Sequence, residues 1–244
     1  NGFKKRFDNF KKINQNYDPD NFFLGQSKMK SSIPNFDEFK SKDFNIIIIG
    51  DSHGGDLYNA LYLNSNLFNN INFYYAGDVF EYGFLKYDKF IKNSDIVIMS
   101  YKWSDNNYNL LKENFKQIFN LNKKIIITSS SNEYKTPSKL YTLIDYKILF
   151  EKKDFDYFGL KRLYYDNRVI HSTSDINRKL KKFALENKLN YLNQEDYMCE
   201  ITKKECDYVD ENGYKIFYDY GHYTEHGAKY FGKKIHEINW LKLN

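Results

Sequence analysis

Asp51, Ser52 and His53 stand in a row where an apolar run gives out, in "FNIIIIGDSHGGDLYNAL" (44–61). Two chemical schemes compete for them. In the first, Ser52 is a nucleophile. A serine hydroxyl needs a base to take its proton, and the base needs a carboxylate to orient it. "YDYGHYTEHGA" (218–228) offers both, Asp219 and His222, close enough to be held by a single turn. A serine at the junction of strand and helix also meets unpaired backbone N–H groups and the positive end of the helix dipole, which suit an anionic intermediate.

In the second scheme Asp51 and His53 begin the ligand set of a metal pair. Asp78, in "GDVFE" (77–81), would bridge it, and the histidines of "GHYTEH" (221–226) would complete a metal-dependent phosphoesterase. That scheme requires an Asn-His pair after the second strand. No histidine lies between His53 and His171, and five in all (53, 171, 222, 226, 236) are few for two metal shells. Asp219 has no role in it either. The serine scheme is therefore preferred, and no metal or other cofactor is expected.

Each side chain also has a plainer reading. Asp51 can cap a helix, and His53 can be structural rather than substrate-lining. Trp103 suits core packing as well as sugar stacking, and Gly77 can simply mark a turn.

The elements that would position these residues follow a rhythm. "NIIIIG" (45–50), "NFYYAG" (72–77), "DIVIMSY" (95–101) and "KIIITSS" (124–130) read as short buried strands. Helical spacing fills "DLYNALYLNSNLF" (56–68) and "NYNLLKENFKQIFNL" (107–121) between them. A helix over 173–188, a last strand in "LNYLN" (189–193) and a closing loop and helix over 215–238 complete the pattern. Such alternation predicts a mostly parallel sheet covered on both faces, with its site at the carboxyl ends of the strands. The stretch 131–170 breaks the rhythm and reads as an inserted helix with its flanks. Residues 1–43 read as a linker or wrapping arm, and 44–244 as one domain.

Composition narrows the class. The 244 residues are 41% hydrophobic and 28% charged, ordinary for a folded domain. The net charge of +5 is carried by scattered lysine pairs rather than one basic block, which speaks against nucleic-acid binding. No segment is long and apolar enough to span a membrane, and no secretory signal is visible. The first residue is Asn, so a processed protein or a piece of a longer chain is expected. Cys199 and Cys206, in "YMCEITKKECDY", suit a local disulfide in an oxidising compartment or two free thiols in a reducing one.

"GDSH" near the start, with Asp-x-x-His, Thr and Gly-Ala near the end, resembles the SGNH (GDSL-type) hydrolase and acyltransferase superfamily over about residues 44–240. The resemblance implies a three-layer α/β/α, flavodoxin-like fold with Ser52 as nucleophile, His222 as base and Asp219 as its partner. It implies an oxyanion hole built from the N–H groups of Ser52 and Gly77. The family's Gly-x-Asn-Asp block is missing, since that strand edge reads "MSYKWSDNN". Asn106 or Asn107 is the substitute donor, Asn106 being preferred, and Asp51, His53 and Trp103 are taken as substrate-lining. "SYKWS", the cysteine pair and "FYDYGHYTEHGAKYFG" further resemble periplasmic SGNH domains attached to membrane-bound acyltransferases that acylate surface polysaccharides. That likeness implies acyl transfer, most often of acetyl, from an acyl donor to a glycan hydroxyl. It also implies a Cys199–Cys206 disulfide, a membrane acyltransferase domain in the same native chain and an extracytoplasmic location, with a cytoplasmic one as the alternative. A carbohydrate O-acetyl esterase would use the same residues.

Overall fold

A computed structural model describes residues 44–119, 123–135, 142–143, 157–211 and 214–243. The proposed linker, 1–43, lies outside the described residues, as does most of the stretch 136–156. The apolar runs form a parallel sheet of five strands: β1 (Phe44–Ile49), β2 (Ile71–Gly77), β3 (Ile96–Met99), β4 (Lys124–Thr128) and β5 (Asn190–Leu192). Their order is β2-β1-β3-β4-β5, every pair parallel. That order reverses direction after β1, which opens a crevice at the carboxyl edge between β1 and β3.

The alternation of side chains along β1 explains why it is apolar at every position from Ile46 to Ile49. Ile46 and Ile48 enter a core shared with Leu57, Leu61, Ala228, Phe231 and Ile235. Ile47 and Ile49 enter a second core with Tyr87, Ile91, Leu111, Leu180 and Phe183. A strand buried on both faces needs β-branched residues throughout rather than every second one. The first core belongs to helices α1 (Ser52–Tyr62) and α8 (Glu225–Glu237). The second belongs to α3 (Phe84–Lys92), α4 (Asp105–Phe119) and α6 (Ile170–Glu186). Helices α2 (Val79–Tyr82), α5 (Tyr157–Asp166) and α7 (Glu195–Met198) complete the described set. The layers are thus helix, sheet, helix, as expected.

Helix α1 begins four residues earlier than its apolar spacing suggests. Gly54 and Gly55 look like breakers in sequence, but the helix runs through them because its first turn presses on the end of β3. A Cβ on Gly54 would stand 2.5 Å from the Ser100 carbonyl oxygen, and one on Gly50 only 1.8 Å. Both lie well inside contact distance, so these two positions accept only glycine. Cys199 and Cys206 are joined by a disulfide, across a short antiparallel pair, β6 (Cys199–Glu200) and β7 (Glu205–Cys206). Among the described residues no helix is long and apolar enough to cross a membrane.

Candidate active site

The turn after β1 is fixed from both sides. Asp51 caps α1, its Oδ1 accepting the His53 N–H at 3.0 Å, while its Oδ2 accepts the Lys102 N–H at 2.9 Å from the edge beyond β3. The Tyr75 hydroxyl, rising from β2, donates toward the carbonyls of Gly50 and Asp51 at 2.9 and 2.8 Å. Ser52 is left as the first, exposed residue of α1, where backbone N–H groups have no acceptor within the helix.

The loop before α8 arrives from the other end of the chain. Phe217 and Tyr223 pair as an antiparallel bridge with both rings buried, and this pins the five residues between them. Asp219 turns back on that loop: its Oδ1 accepts the N–H groups of Gly221 (3.0 Å) and His222 (2.8 Å). Its Oδ2 lies 2.8 Å from His222 Nδ1, and His222 Nε2 lies 2.9 Å from Ser52 Oγ. The Asp-x-x-His spacing is therefore the span of one side-chain-closed turn. Gly221 leaves room for it, since a Cβ there would approach the Asn132 carbonyl to 3.2 Å.

Electrostatics sharpen the chain of contacts. Burial would raise the Asp219 carboxyl, but the hydrogen bonds from His222 and the two loop N–H groups outweigh it and hold it below the ordinary range. Burial would lower His222, but the hydrogen bond to Asp219, with the charges of Asp56, Asp219 and Asp51, lifts it above the usual imidazole value. Tyr218 and Tyr220 flank the ring, Tyr218 nearly parallel at 5.6 Å and Tyr220 edge-on at 5.4 Å.

The other expected site residues fall differently. Gly77 ends β2 with φ +75°, a conformation that favours glycine, and its carbonyl accepts the Gly50 N–H at 3.0 Å. Asn106 is exposed on the first turn of α4, and no described hydrogen bond links it to Ser52 or His222. Trp103 is not substrate-lining. It is 4% exposed, its indole N–H donates to the Thr128 carbonyl at 2.8 Å, and its ring packs on Tyr101 at 5.0 Å. An apolar ring with its only donor satisfied by a β4 carbonyl belongs to the core.

His53 is also corrected from substrate-lining to structural. It is 2% exposed, stacks on His222 at 4.5 Å, and bonds through Nδ1 to Ser131 Oγ at 2.7 Å. The metal set Asp51, His53 and Asp78 is not assembled: Asp51 is engaged as above, and Asp78 caps α2 through the N–H groups of Phe80 and Glu81. Among the described residues, the side chains that approach one another closely enough to share a cation are His53, Asp56 and His222.

Three contributors have no sequence signal of their own. Lys102 Nζ pairs with Glu133 at 2.6 Å and lies 5.0 Å above the Tyr220 ring, at the mouth of the site. Asp56, one helical turn beyond Ser52, is buried and accepts the Tyr223 N–H; its desolvated carboxyl is pushed well above the ordinary range. Its i, i+4 relation to Ser52 is readable only once α1 is known to start at Ser52.

Comparison with known proteins identifies the family and the fold. The family model described as the SGNH domain fused to AT3 domains matches residues 26–237. No curated protein matches the chain in sequence. Among solved structures, the periplasmic domain of a lipopolysaccharide acetyltransferase from Salmonella ser. Paratyphi A is similar at 16% identity and a TM-score of 0.64, with 88% of this chain and 93% of that one covered. A GDSL-like lipase from Bacteroides thetaiotaomicron is similar at 13% identity and a TM-score of 0.46, covering 91% and 97%. The first of these shares the fold. With most of its length inside the family model, the chain belongs to the SGNH family, in the group fused to AT3 domains, and so to the enzymes of acyl transfer and hydrolysis.

Proposed function

We propose that this protein transfers a short acyl group, acetyl foremost, to a hydroxyl of a cell-surface glycan by way of an acyl-serine at Ser52. The observation that carries the reading is the unbroken run of contacts from Asp219 through His222 to Ser52 Oγ. Ser52 Oγ attacks the donor's carbonyl carbon while its proton passes to His222 Nε2. The imidazolium that forms is held by the Asp219 carboxylate on Nδ1. The oxyanion is received by the N–H groups of Ser52 and Gly77, with Asn106 proposed as the third donor. Collapse expels the leaving group, which takes the proton from Nε2, and leaves the acyl ester on Ser52. An acceptor hydroxyl then gives its proton to Nε2 and attacks the ester, and Ser52 recovers a proton as the product leaves.

The glycan acceptor is supported by the polar mouth, where Lys102 pairs with Glu133 and lies over the Tyr220 ring, while the half-exposed rings of Tyr218 and Tyr220 flank His222. The extracytoplasmic location is supported by the disulfide. It is also supported by the similar periplasmic domain, which is that of an acetyltransferase. In the family the SGNH domain is joined to AT3 domains, which fits a membrane-bound supplier of the acyl group. Hydrolysis of a carbohydrate acetate is the second reading and uses the same atoms, with water in place of the acceptor.

The test is turnover of an aryl acetate by the wild type and by Ser52→Ala, His222→Gln and Asp219→Asn. Each substitution is expected to lower the rate by at least 10³-fold. Mass spectrometry of quenched wild type should find one acetyl group on the peptide carrying Ser52. Activity that survives Ser52→Ala would overturn the assignment. Methyl glycosides added to the reaction separate the two readings, because a transferase yields acetylated sugar where an esterase yields only acetate.

A further inference from the structure

We infer that His53 is the positioning residue of the base, its ring holding the plane of His222 in line with Ser52. The inference deepens the reading above and rests on His222 acting as the base. Two hydrogen bonds hold the His222 ring, Nδ1 on Asp219 at 2.8 Å and Nε2 on Ser52 at 2.9 Å. Bonds to ring nitrogens act in the plane of the imidazole. They fix its two ends and leave it free to rock about the line between them. A contact on the face resists that rocking, and His53 supplies one. The two rings stack with centroids 4.5 Å apart, 18° from parallel.

His53 suits the task because it is itself held from several sides. It is 2% exposed, and its backbone N–H donates to Asp51 Oδ1 at 3.0 Å. Nδ1 lies 2.7 Å from Ser131 Oγ, and Nε2 faces Glu133 Oε1 at 3.4 Å. Burial would raise the Glu133 carboxyl, but His53 and Lys102 together hold it below the ordinary range, so it is an anion. In the neutral imidazole, a carboxylate on that side places the proton on Nε2. Nδ1 is then left to accept the Ser131 hydroxyl.

The clamp also ties the two halves of the site together. Lys102 Nζ pairs with the same Glu133 oxygen at 2.6 Å, and the Lys102 backbone N–H binds Asp51 Oδ2. On the other side, the N–H of Tyr134, next after Glu133, donates to the Tyr220 carbonyl at 2.8 Å. A Cβ on Gly221 would stand 3.5 Å from His53 Cε1, so the turn that carries His222 packs directly on this ring. Ser52 and His53 are consecutive in the first turn of α1. The residue after the nucleophile thus supports the base. A misplacement of about 1 Å can cost about 10²-fold in rate, which sets the scale of the effect.

The test counts competent sites with a fluorophosphonate, which bonds to an activated serine and releases fluoride, and then measures aryl acetate turnover per site. His53→Asn keeps a polar atom for Ser131 and removes the ring. Glu133→Gln keeps the shape of the carboxylate and removes its charge. His53→Asn should lower kcat per site at least tenfold, leave KM within twofold, and slow labelling in proportion. Glu133→Gln should show the same pattern to a smaller degree. His226→Ala removes a histidine that stacks on Tyr214 at 4.0 Å, and should change neither rate. In the wild type above neutrality, magnetic resonance of isotope-labelled imidazole nitrogens should find the His53 proton on Nε2, a readout that needs no variant. Wild-type kcat per site in His53→Asn, or a loss confined to the number of sites, would overturn the inference. A raised KM with unchanged kcat would return His53 to the substrate, and a proton on its Nδ1 alone would break the clamp. Wild type that fails to label at Ser52 sinks the acyl-serine reading, whereas labelled Ser52 with any of those failures sinks this inference alone.

Discussion

Asp51 and Lys102 are joined by a 2.9 Å hydrogen bond from the Lys102 backbone N–H to Asp51 Oδ2, while Oδ1 of the same carboxylate caps the helix that Ser52 begins. One side chain thereby ties the β1 turn to the β3 edge. Asp51→Ala removes a cap and a cross-edge bond together and should cost about 1–3 kcal/mol. Urea denaturation reads the loss as a lower midpoint with unchanged slope. Asp51→Asn, which keeps one acceptor, should lose less.

Gly54 and Gly55 are neighbours in one helix and should respond oppositely to alanine. At Gly54 the added methyl meets the Ser100 carbonyl at 2.5 Å, and the backbone must move. At Gly55 its nearest neighbours are Tyr75 ring atoms at 3.6 Å, ordinary contact. Gly54→Ala should therefore lower Tm sharply or prevent folding. Gly55→Ala should leave Tm unchanged or raise it, since alanine is worth up to about 1 kcal/mol over glycine in a helix. A thermal melt of both variants decides the point.

Asp207 is the clearest source of acid sensitivity. Burial would raise its carboxyl, but ion pairs with Lys234 and with Lys161, the latter at 2.9 Å, outweigh that and hold it below the ordinary carboxylate range. A carboxyl depressed in the folded state stabilises fully above its unfolded value, roughly pH 4, and loses that contribution as pH falls through the folded one. Asp207→Asn should cost about 3 kcal/mol near neutrality and remove that part of the acid-side loss of stability. Unfolding midpoints from pH 3 to pH 7 would reveal it; parallel curves for the two proteins would refute it.

The disulfide closes an eight-residue loop beside the site, and Asn132 Nδ2 donates to Cys199 Sγ at 3.2 Å. For so short a loop the cross-link is worth about 2–3 kcal/mol. Cys206→Ser should lower stability by that amount. Dithiothreitol should do the same to the wild type and leave the variant untouched, as chemical denaturation would show.

Asn106→Ala tests the third oxyanion donor and should lower kcat by about 10²-fold. Asn107 donates to the Lys102 carbonyl at 3.3 Å, so Asn107→Ala is the steric control. Equal rates in the two variants would remove Asn106 from the site.

Much of the fold is legible in the sequence, and the reasons are particular. The strands are readable because β1, β3 and β4 are buried on both faces over most of their length and so carry β-branched runs, Ile46–Ile49, Ile96–Ile98 and Ile125–Thr128. Ser52, Asp219 and His222 are readable because each sits in a local device, a capped turn or a side-chain-closed loop, whose spacing survives in one dimension. Trp103 misleads because an indole at a strand end serves a core or a ligand equally well, and only the Thr128 carbonyl decides. The start of α1 is hidden because the clash that makes Gly54 necessary comes from Ser100, far along the chain. Glu133 and Lys102 carry no pattern; they meet only because neighbouring strands end together.

The bond between Ser52 and His222 spans 170 residues of sequence. During synthesis the serine is made before its partner, on a helix whose cap and strand can already form. His222 lies near the end of the stretch that the family model matches, and α8, which packs on α1, follows it. Closing so long a loop carries an entropic cost that only the completed core offsets. On the proposed mechanism a nascent chain therefore stays chemically silent until nearly the whole domain has been made, and the order of the residues acts as a delay on reactivity.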